Sequence, residues 1–486
     1  MGIVVKQSIR NTIITYIGFV IGAANALFMY TNFLGKTYYG LTAFLLSSAN
    51  IMMPLMAFGV HNTMVKFYSG YKTEEEKSQF LTFMLVLPLV LIVPFSIIGF
   101  FFYDRIALFL SRENPIILHY VWLIPLIGLC MGYFEIFYAW VKVHLQSVYG
   151  SFIKEIVLRI LISIFLYAVF FKWITPEQFI YITLGIYFTI TVLMVISAFK
   201  VRKPVFSLKF PKEKKHVFIY SVFIILSGSV ATLLLDIDKF MLSQYINIDN
   251  VAYYSVAIFI TTVIAVPSRA MHQIAYPITA KLMTENKYEE LNEFYKKTSI
   301  SLQVVGGYVL LGILVNIKQV YLLLPPEYSG GVFVVFTIGI SKYFDLILGN
   351  NNAIIFNSVY YRMVLFLGLM LAFFAMTLNM LLIPSYGING AAMATLIAIT
   401  LYSLSKLMFV VFKMKLYPFT KGTLYSLLVS LAVFILFYYW EFPFHPLTNI
   451  ILKSTLLSVV YGFANYHLKL SAEINEVMDK VIGRFR

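Results

Sequence analysis

Charged side chains interrupt long apolar runs, and they are the residues whose types and spacing could do chemistry. Arg269 and His272 are three residues apart, as are Lys342 and Asp345, so each pair shares one face of a helix. An arginine fork suits a pyrophosphate, and Asp345 would neutralise Lys342 in a resting state. A charge at mid-membrane costs at least ~2.5–3.5 kcal/mol. Each of these charged residues therefore requires either a substrate or a structural partner, and the sequence leaves both interpretations open.

Further charges lie in the apolar runs at other positions. Glu155 and Arg159 have the i, i+4 spacing of a helical ion pair, whereas Glu135 and Lys406 stand alone within their runs. The predicted substrate-binding residues are Arg269, His272, Lys342, Asp345, Arg159, Glu135 and Lys406. A second group, predicted to couple an ion or to lock a lobe, consists of Asp236, Asp238 and Lys239.

Motifs of enzymes and metal proteins are not found in the sequence. It contains no phosphate-binding Walker loop, no nucleophile elbow and no His/Cys cluster. The single cysteine, Cys130, excludes an intramolecular disulfide and a cysteine metal site. We therefore predict no catalytic residues, no metal, no cofactor and no ATP hydrolysis by this chain.

Apolar helices must position these charges. The chain has 486 residues, of which 60% are hydrophobic and 12% charged, against about 25% charged in soluble domains. Segments of about 20 apolar residues indicate an all-α polytopic membrane protein. The fourteen predicted spans are 11–33, 38–65, 79–103, 116–141, 153–171, 177–199, 217–245, 250–279, 298–317, 330–357, 361–383, 387–412, 421–440 and 447–468.

The basic residues predict the orientation. The net charge is +15, but the basic residues lie between apolar runs, where anionic lipid headgroups attract them, so a nucleic-acid partner is not expected. With the N-terminus in the cytoplasm, the cytoplasmic segments with the adjoining span ends hold 26 Lys and Arg, the outer ones six, and five lie deeper within spans. Cytoplasmic loops of membrane proteins are rich in these residues. We therefore expect both termini in the cytoplasm.

A basic loop and an internal repeat predict the domain organisation. Residues 200–216 hold seven basic residues between two groups of six spans, and shifting the chain by 215 residues aligns spans 2 and 8 with eight identities over 38–76. A repeat of this kind is a recurrent transporter plan. The predicted parts are an N-lobe (1–199), a cytoplasmic linker (200–216), a C-lobe (217–415), two extra helices (416–470) and an amphipathic cytoplasmic tail (471–486).

Three segments resemble a known family. DIDKFMLSQYINIDNVAYYSVA (236–257) and LNMLLIPSYGINGAAMATLIA (378–398) resemble the helix 7–8 and helix 11–12 elements of polysaccharide flippases in the multidrug/oligosaccharidyl-lipid/polysaccharide exporter superfamily. FLGKTYYGLTAFLLSSANIMMPLMAFGVHNTMVKFYS (33–69) resembles their helix 1–2 element. These motifs are built from turn and packing residues, with Gly387 and Gly390 allowing a tight turn.

The resemblance implies a fourteen-helix flippase, not an enzyme. The expected substrate is a prenyl-pyrophosphate-linked oligosaccharide, moved by alternating access across a bacterial inner membrane during polysaccharide biosynthesis. Its expected partners are this lipid, the bilayer and polysaccharide-assembly enzymes. A multidrug antiporter of the same superfamily is the first alternative, disfavoured by spans 13 and 14 and by the basic intramembrane residues. A membrane polymerase or glycosyltransferase is the second, disfavoured because no long outer loop is present.

Overall fold

A computed structural model describes residues 3–205, 211 and 214–483, and those residues are helical or form short connections, without a strand. Parts of the predicted linker, 206–210 and 212–213, and the last three residues of the tail lie outside the described part. The chain divides into two compact units after Ala252. We call residues 1–252 the first unit and residues 253–486 the second.

The helices are long and apolar, and several follow one another without a break. Two short 3₁₀ helices precede Glu74 and Leu123, and two more precede Val266 and Val332. The other helices, π segments included, are Ile3–Ala23, Ala24–Leu34, Lys36–Met56, Val60–Phe67, Glu74–Phe101, Tyr103–Ser111, Leu123–Val143, Ser147–Phe152, Ile153–Val157, Leu158–Phe170, Pro176–Val201, Lys214–Tyr245, Asp249–Thr262, Val266–Thr284, Tyr288–Leu322, Val332–Ile347, Asn351–Asn357, Arg362–Met414, Lys421–Tyr438, Pro446–His467 and Ala472–Ile482.

These helices account for the fourteen predicted spans. Eleven ranges in the described part are long and apolar enough to cross a membrane. One of them, Arg362–Met414, has a non-helical residue at Gly387 and therefore holds two spans. The consecutive helices from Ser147 to Phe170 form span 5, and Lys214–Tyr245 forms span 7. The predicted all-helical polytopic fold is confirmed.

The connection between spans 11 and 12 has the tight turn that the glycines predicted. Gly387 has a φ of 56° and a ψ of −133°, a conformation that residues with a Cβ rarely adopt. A Cβ on Gly390 would lie 2.1 Å from the carbonyl oxygen of Leu382, eight residues earlier. The chain therefore folds back on itself here, and only a residue without a side chain fits at this contact.

Two spans begin at capping boxes, which explains where they start. The Thr73 hydroxyl accepts the amide of Glu76, and the Glu76 side chain accepts the amide of Thr73. Thr175 and Gln178 repeat this exchange at the start of span 6. The exchange satisfies amides that a helix start otherwise leaves without a partner. Both helices therefore begin at these threonines.

Three spans that the sequence predicted as continuous are broken. Span 2 stops at Met56 and resumes at Val60, with φ values of 48° at Phe58 and 63° at Gly59. Span 8 passes through the 3₁₀ turn Val263–Ala265, and span 10 breaks at Gly349. The repeat shift places 57–59 on 272–274, inside a continuous helix. The spans that align in sequence therefore break at different places.

Two other boundaries differ from the predicted ones. Span 9 was predicted to begin at residue 298, but its helix begins ten residues earlier and forms the 35-residue helix Tyr288–Leu322. The compact units divide at 252, whereas the predicted lobes divide at 200–216, because Lys214–Tyr245 packs on span 2 within the first unit. The tail helix is present as Ala472–Ile482. The lobes inferred from the repeat stay a prediction.

Candidate functional site

In the first unit a carboxylate and two lysines gather beside the broken end of span 2. We call His61, Glu135, Lys142 and Lys154 the Glu135 cluster. Lys154 Nζ lies 2.5 Å from Oε1 of Glu135, which joins span 5 to span 4. The short helix that carries His61 begins directly after the break at 57–59. His61 interacts electrostatically with Glu135, Lys142 and Lys154.

The lysines of the Glu135 cluster are not sealed in a core. The Lys154 side chain keeps 47% of its surface exposed although it is ion-paired. Lys142 is exposed and lies with Nζ 3.8 Å from the centroid of the Tyr138 ring. Two lysines face one carboxylate, so the cluster has a positive surplus. Exposed cations surrounded by apolar helices favour an anion or hydration at this place.

The predicted ion pair of span 5 forms, and the first span is shaped around it. Arg159 Nη2 lies 2.9 Å from Oε2 of Glu155, while Nη1 donates to the carbonyl oxygen of Gly18. A Cβ on Gly22 would lie 2.6 Å from Arg159 Nη1. Gly22 therefore makes room for the guanidinium, and Gly18 makes room for the backbone of Glu155.

In the second unit Asp345 forms the centre of another polar group. We call His272, Asp345, Asn352 and Lys406 the Asp345 cluster. Lys406 Nζ lies 2.7 Å from Asp345 Oδ1 and 3.2 Å from Asn352 Oδ1. Ser403 Oγ donates to the same carboxylate oxygen at 3.0 Å. The Lys406 side chain is 3% exposed and that of Asp345 is 42% exposed, so the carboxylate is the accessible partner.

His272 and Arg269 lie on one helix of the second unit. His272 interacts electrostatically with Asp345 and Lys406, and its Nδ1 is buried without a hydrogen-bond partner among the described residues. Arg269 is exposed and forms no ion pair within the described part of the chain. The role predicted for Arg269 in substrate binding stays a prediction.

Several predicted site residues have other surroundings than expected. Glu135 and Lys406 stand alone within their own spans, but each pairs with a charge of another span, Glu135 with Lys154 and Lys406 with Asp345. Lys406 and Ser403 of span 12 make short contacts to Asp345, and the pairing of Lys342 with Asp345 stays a prediction.

Polar residues with two possible roles turn out to be held by neighbouring helices. Asn350, Asn351 and Asn352 follow Gly349 in span 10. Asn350 donates to Thr279, and Asn351 donates to Tyr295 at 2.9 Å. These contacts indicate a structural role beside the break at Gly349.

Lys239 pairs with Asp236 at 3.3 Å, and Asp238 is buried. Ion coupling by this group stays a prediction.

His61 and Lys142 were not among the predicted site residues. His61 lies near the end of a predicted span, and Lys142 just beyond another, where basic side chains commonly contact lipid headgroups. A signal was present in the spacing of Tyr138 and Lys142, since residues four apart in a helix lie on one face. Nothing in the sequence showed that this face carries Glu135 and Lys154 as neighbours.

Comparisons with known proteins give the family. The family model described as polysaccharide biosynthesis protein matches residues 4–283. The uncharacterized membrane protein MJ1068 of Methanocaldococcus jannaschii is 24% identical over 76% of each chain.

Solved structures share the fold. A lipid II flippase, MurJ, in an inward closed conformation has a TM-score of 0.74 at 17% identity and covers 94% of this chain and 99% of its own. A transporter of the MOP superfamily from Pyrococcus furiosus, described as having a binding pocket of reverse polarity, has a TM-score of 0.58 at 14% identity, over 85% of this chain and 95% of its own. These likenesses show a multi-pass transporter fold, and the family model shows that the chain belongs to the polysaccharide biosynthesis protein family.

Proposed function

We propose that the protein flips a prenyl-pyrophosphate-linked oligosaccharide across the cytoplasmic membrane of a bacterium, with both termini in the cytoplasm. The chain belongs to the family described as polysaccharide biosynthesis protein, and its fold is similar to that of a lipid II flippase. The observation that carries the proposal is the Glu135 cluster, because its exposed lysines outnumber its carboxylate.

The chemistry of the cluster fits a pyrophosphate lipid. Lysines bind phosphate as point charges, and Lys154 is held in place by Glu135 at 2.5 Å while part of its surface stays exposed. In the predicted topology Glu135, Lys142 and Lys154 lie toward the cytoplasmic ends of spans 4 and 5. A lipid-linked sugar made in the cytoplasm would arrive at this side. The Glu135 cluster would receive the pyrophosphate, and alternating access would then expose it to the other side.

A multidrug antiporter is the competing function, and the charge of the cluster argues against it. A cavity for cationic drugs requires a surplus of carboxylates, whereas the Glu135 cluster has a surplus of lysines. The Asp345 cluster offers one carboxylate, and Lys406 neutralises it at 2.7 Å.

A flipping assay with lipids of defined headgroup tests the proposal. Proteoliposomes would contain a fluorescent disaccharide on a short prenyl pyrophosphate, and an external quencher would report the labelled headgroups that reach the outer leaflet. We expect protein-dependent flipping of the pyrophosphate lipid. We expect much less with the same sugar on a neutral prenyl ether. No flipping of the pyrophosphate lipid, together with uptake of a cationic dye, would favour the antiporter.

Two lysines with the same ring contact give a matched comparison. Lys142 lies 3.8 Å above Tyr138, and Lys66 lies 3.8 Å above Tyr220, outside the cluster. Lys142→Ala is expected to slow flipping about tenfold or more, since a hydrogen bond to a charged group contributes roughly 1.5–3 kcal/mol. Lys66→Ala removes an equivalent cation–π contact and is expected to change the rate by less than about twofold. Equal losses in both variants would contradict a role for the Glu135 cluster.

A further inference from the structure

A cavity of about 560 Å³ lies where three connections of the second unit meet. Its lining residues follow span 8, follow span 10 and end span 12, so these three connections lie at the same end of the unit. In the predicted topology that end is cytoplasmic. We call it the Lys413 cavity, and the lining residues that matter below are Met283, Asn357, Ser358, Val359, Lys413 and Met414.

Packing and hydrogen bonds fix the shape of the Lys413 cavity. Met283 and Met414 line it and pack against a buried apolar cluster that joins spans 9, 10 and 12. The Ser358 hydroxyl donates to the carbonyl oxygen of Ile355 at 2.8 Å and accepts the amide of Tyr360 at 3.0 Å. The cavity is therefore largely formed before a ligand arrives, as small-molecule sites usually are.

Lys413 gives the cavity a positive charge. Its Nζ lies 5.7 Å from the centroid of the Tyr360 ring, and no carboxylate pairs with it within the described part of the chain. The described residues that line the cavity include no aspartate or glutamate. Glu285, which adjoins the cavity in sequence, pairs with Lys281 and Lys287. An ammonium without a carboxylate, beside neutral polar side chains, suits a phosphate group.

The edge of the cavity has exposed apolar side chains. Val359 lines the cavity and keeps 86% of its surface exposed, while Phe356 and Tyr361 nearby in the chain are 58% and 53% exposed. Apolar side chains exposed at the end of a membrane span are expected to contact lipid. Basic pockets between spans on the cytoplasmic side bind lipid headgroups. A free phosphate would use only the lysine, whereas a phospholipid would use the lysine and the apolar edge.

We propose that the Lys413 cavity binds the phosphate headgroup of an anionic phospholipid from the cytoplasmic leaflet. Spans 8, 10 and 12, whose ends form the cavity, also carry His272, Asp345 and Lys406 of the Asp345 cluster. Lys413 follows Lys406 by about two helical turns on the same face. A bound headgroup would hold the ends of these three spans together and make the arrangement of the Asp345 cluster depend on lipid composition. The inference goes beyond the proposed function and does not depend on the transported substrate.

Protection of a cysteine at the edge of the cavity tests the site. Because Cys130 is the one native cysteine, Val359→Cys in a Cys130→Ala background gives a single thiol, whose reaction with a water-soluble maleimide reports access to the cavity. The protein would be freed of lipid in detergent and titrated with dihexanoyl phosphatidylglycerol, dihexanoyl phosphatidylcholine or glycerol phosphate. We expect saturable slowing by phosphatidylglycerol at a concentration about fivefold or more below that of phosphatidylcholine, since each lysine near anionic lipid contributes about 1 kcal/mol.

The three ligands distinguish the possible occupants. Glycerol phosphate should protect the thiol little, because it lacks the acyl chains. Equal protection by both lipids, or none by either, would overturn the proposal. Protection by glycerol phosphate as strong as that by phosphatidylglycerol would overturn the lipid assignment and leave a soluble phosphate as the ligand.

Charge variants on the same background test whether Lys413 holds the phosphate. Lys413→Gln should raise the half-protecting concentration of phosphatidylglycerol about tenfold, because a charge-assisted hydrogen bond is lost. Lys413→Arg keeps the charge and should retain most of the protection. Both replacements alter an exposed side chain, so folding should not change.

Lys421→Gln is the matched control for Lys413→Gln. Lys421 begins span 13 at the end of the same connection, is also exposed and lies outside the cavity. Its removal should change the half-protecting concentration by less than about twofold, because a distant exposed charge is screened by salt. An unchanged concentration in Lys413→Gln, or an equal rise in Lys421→Gln, would overturn the assignment of the phosphate to Lys413.

Discussion

Lys406 Nζ lies 2.7 Å from Oδ1 of Asp345 although 61 residues separate the two in sequence. The lysine is almost completely buried, whereas the carboxylate keeps 42% of its side-chain surface exposed. The ion pair therefore has a buried cation and an accessible anion. Loss of the Asp345 carboxylate should have a different effect on stability from loss of the Lys406 ammonium.

Asp345→Asn should destabilise the protein more than Lys406→Met does. The first change leaves a buried ammonium without its carboxylate, which costs roughly 3–5 kcal/mol for a buried pair. The second leaves a carboxylate that is already partly exposed. The double variant should recover most of the loss. Thermal unfolding of the two single variants and the double variant would measure the coupling, and additive losses would show that the pair contributes nothing specific.

Gly22→Ala should destabilise the first unit although alanine is the better helix former. The new Cβ would lie 2.6 Å from Arg159 Nη1 and displace the guanidinium from Glu155 and from the Gly18 carbonyl. Overpacking of this kind costs roughly 1–3 kcal/mol.

Gly99 provides the control for that substitution. A Cβ on Gly99 meets nothing within 4 Å, so Gly99→Ala should be neutral or stabilising by up to about 1 kcal/mol. Thermal unfolding midpoints of the two variants would test this difference in stability. A Gly22→Ala protein as stable as the parent would mean that Arg159 moves aside without loss of stability.

Arg269→Ala should abolish flipping while leaving expression and unfolding nearly unchanged. Arg269 is exposed, and no carboxylate pairs with it in the described part of the chain, so its removal breaks no described ion pair. Arg269→Lys should restore only part of the rate, because a point charge lacks the bidentate fork. Arg362→Ala is a matched control, since Arg362 is also exposed and contacts the ring of Tyr361. Normal flipping by Arg269→Ala would refute the prediction that this residue binds substrate.

The predicted topology can be checked with single cysteines. Because Cys130 is the one native cysteine, a Cys130→Ala background supports labelling at single new cysteines. A cysteine replacing Lys214, exposed at the start of span 7, should react with a membrane-impermeant maleimide only after cells are opened. A cysteine replacing Trp173, in the connection after span 5, should react in intact cells. The opposite labelling pattern would show that the orientation is the reverse of the predicted one.

The sequence alone determined those features that depend on neighbours a few residues apart. Apolar length determined the fourteen spans. The i, i+4 spacing determined the Glu155–Arg159 pair, and Gly387 with Gly390 determined the turn between spans 11 and 12. Each of these rests on backbone geometry or on one helix face, which residue types report directly.

Tertiary structure alone decided which charges of different spans meet and where spans break. Lys406 could face lipid, a headgroup or any of several helices, and only the packing of span 12 on span 10 brings it to Asp345. The same holds for Lys154 of span 5 with Glu135 of span 4. In the membrane an unpaired polar group is costly, so polar side chains find partners wherever the helices place them. That placement depends on the rotation and depth of each helix, which the local residue pattern does not specify.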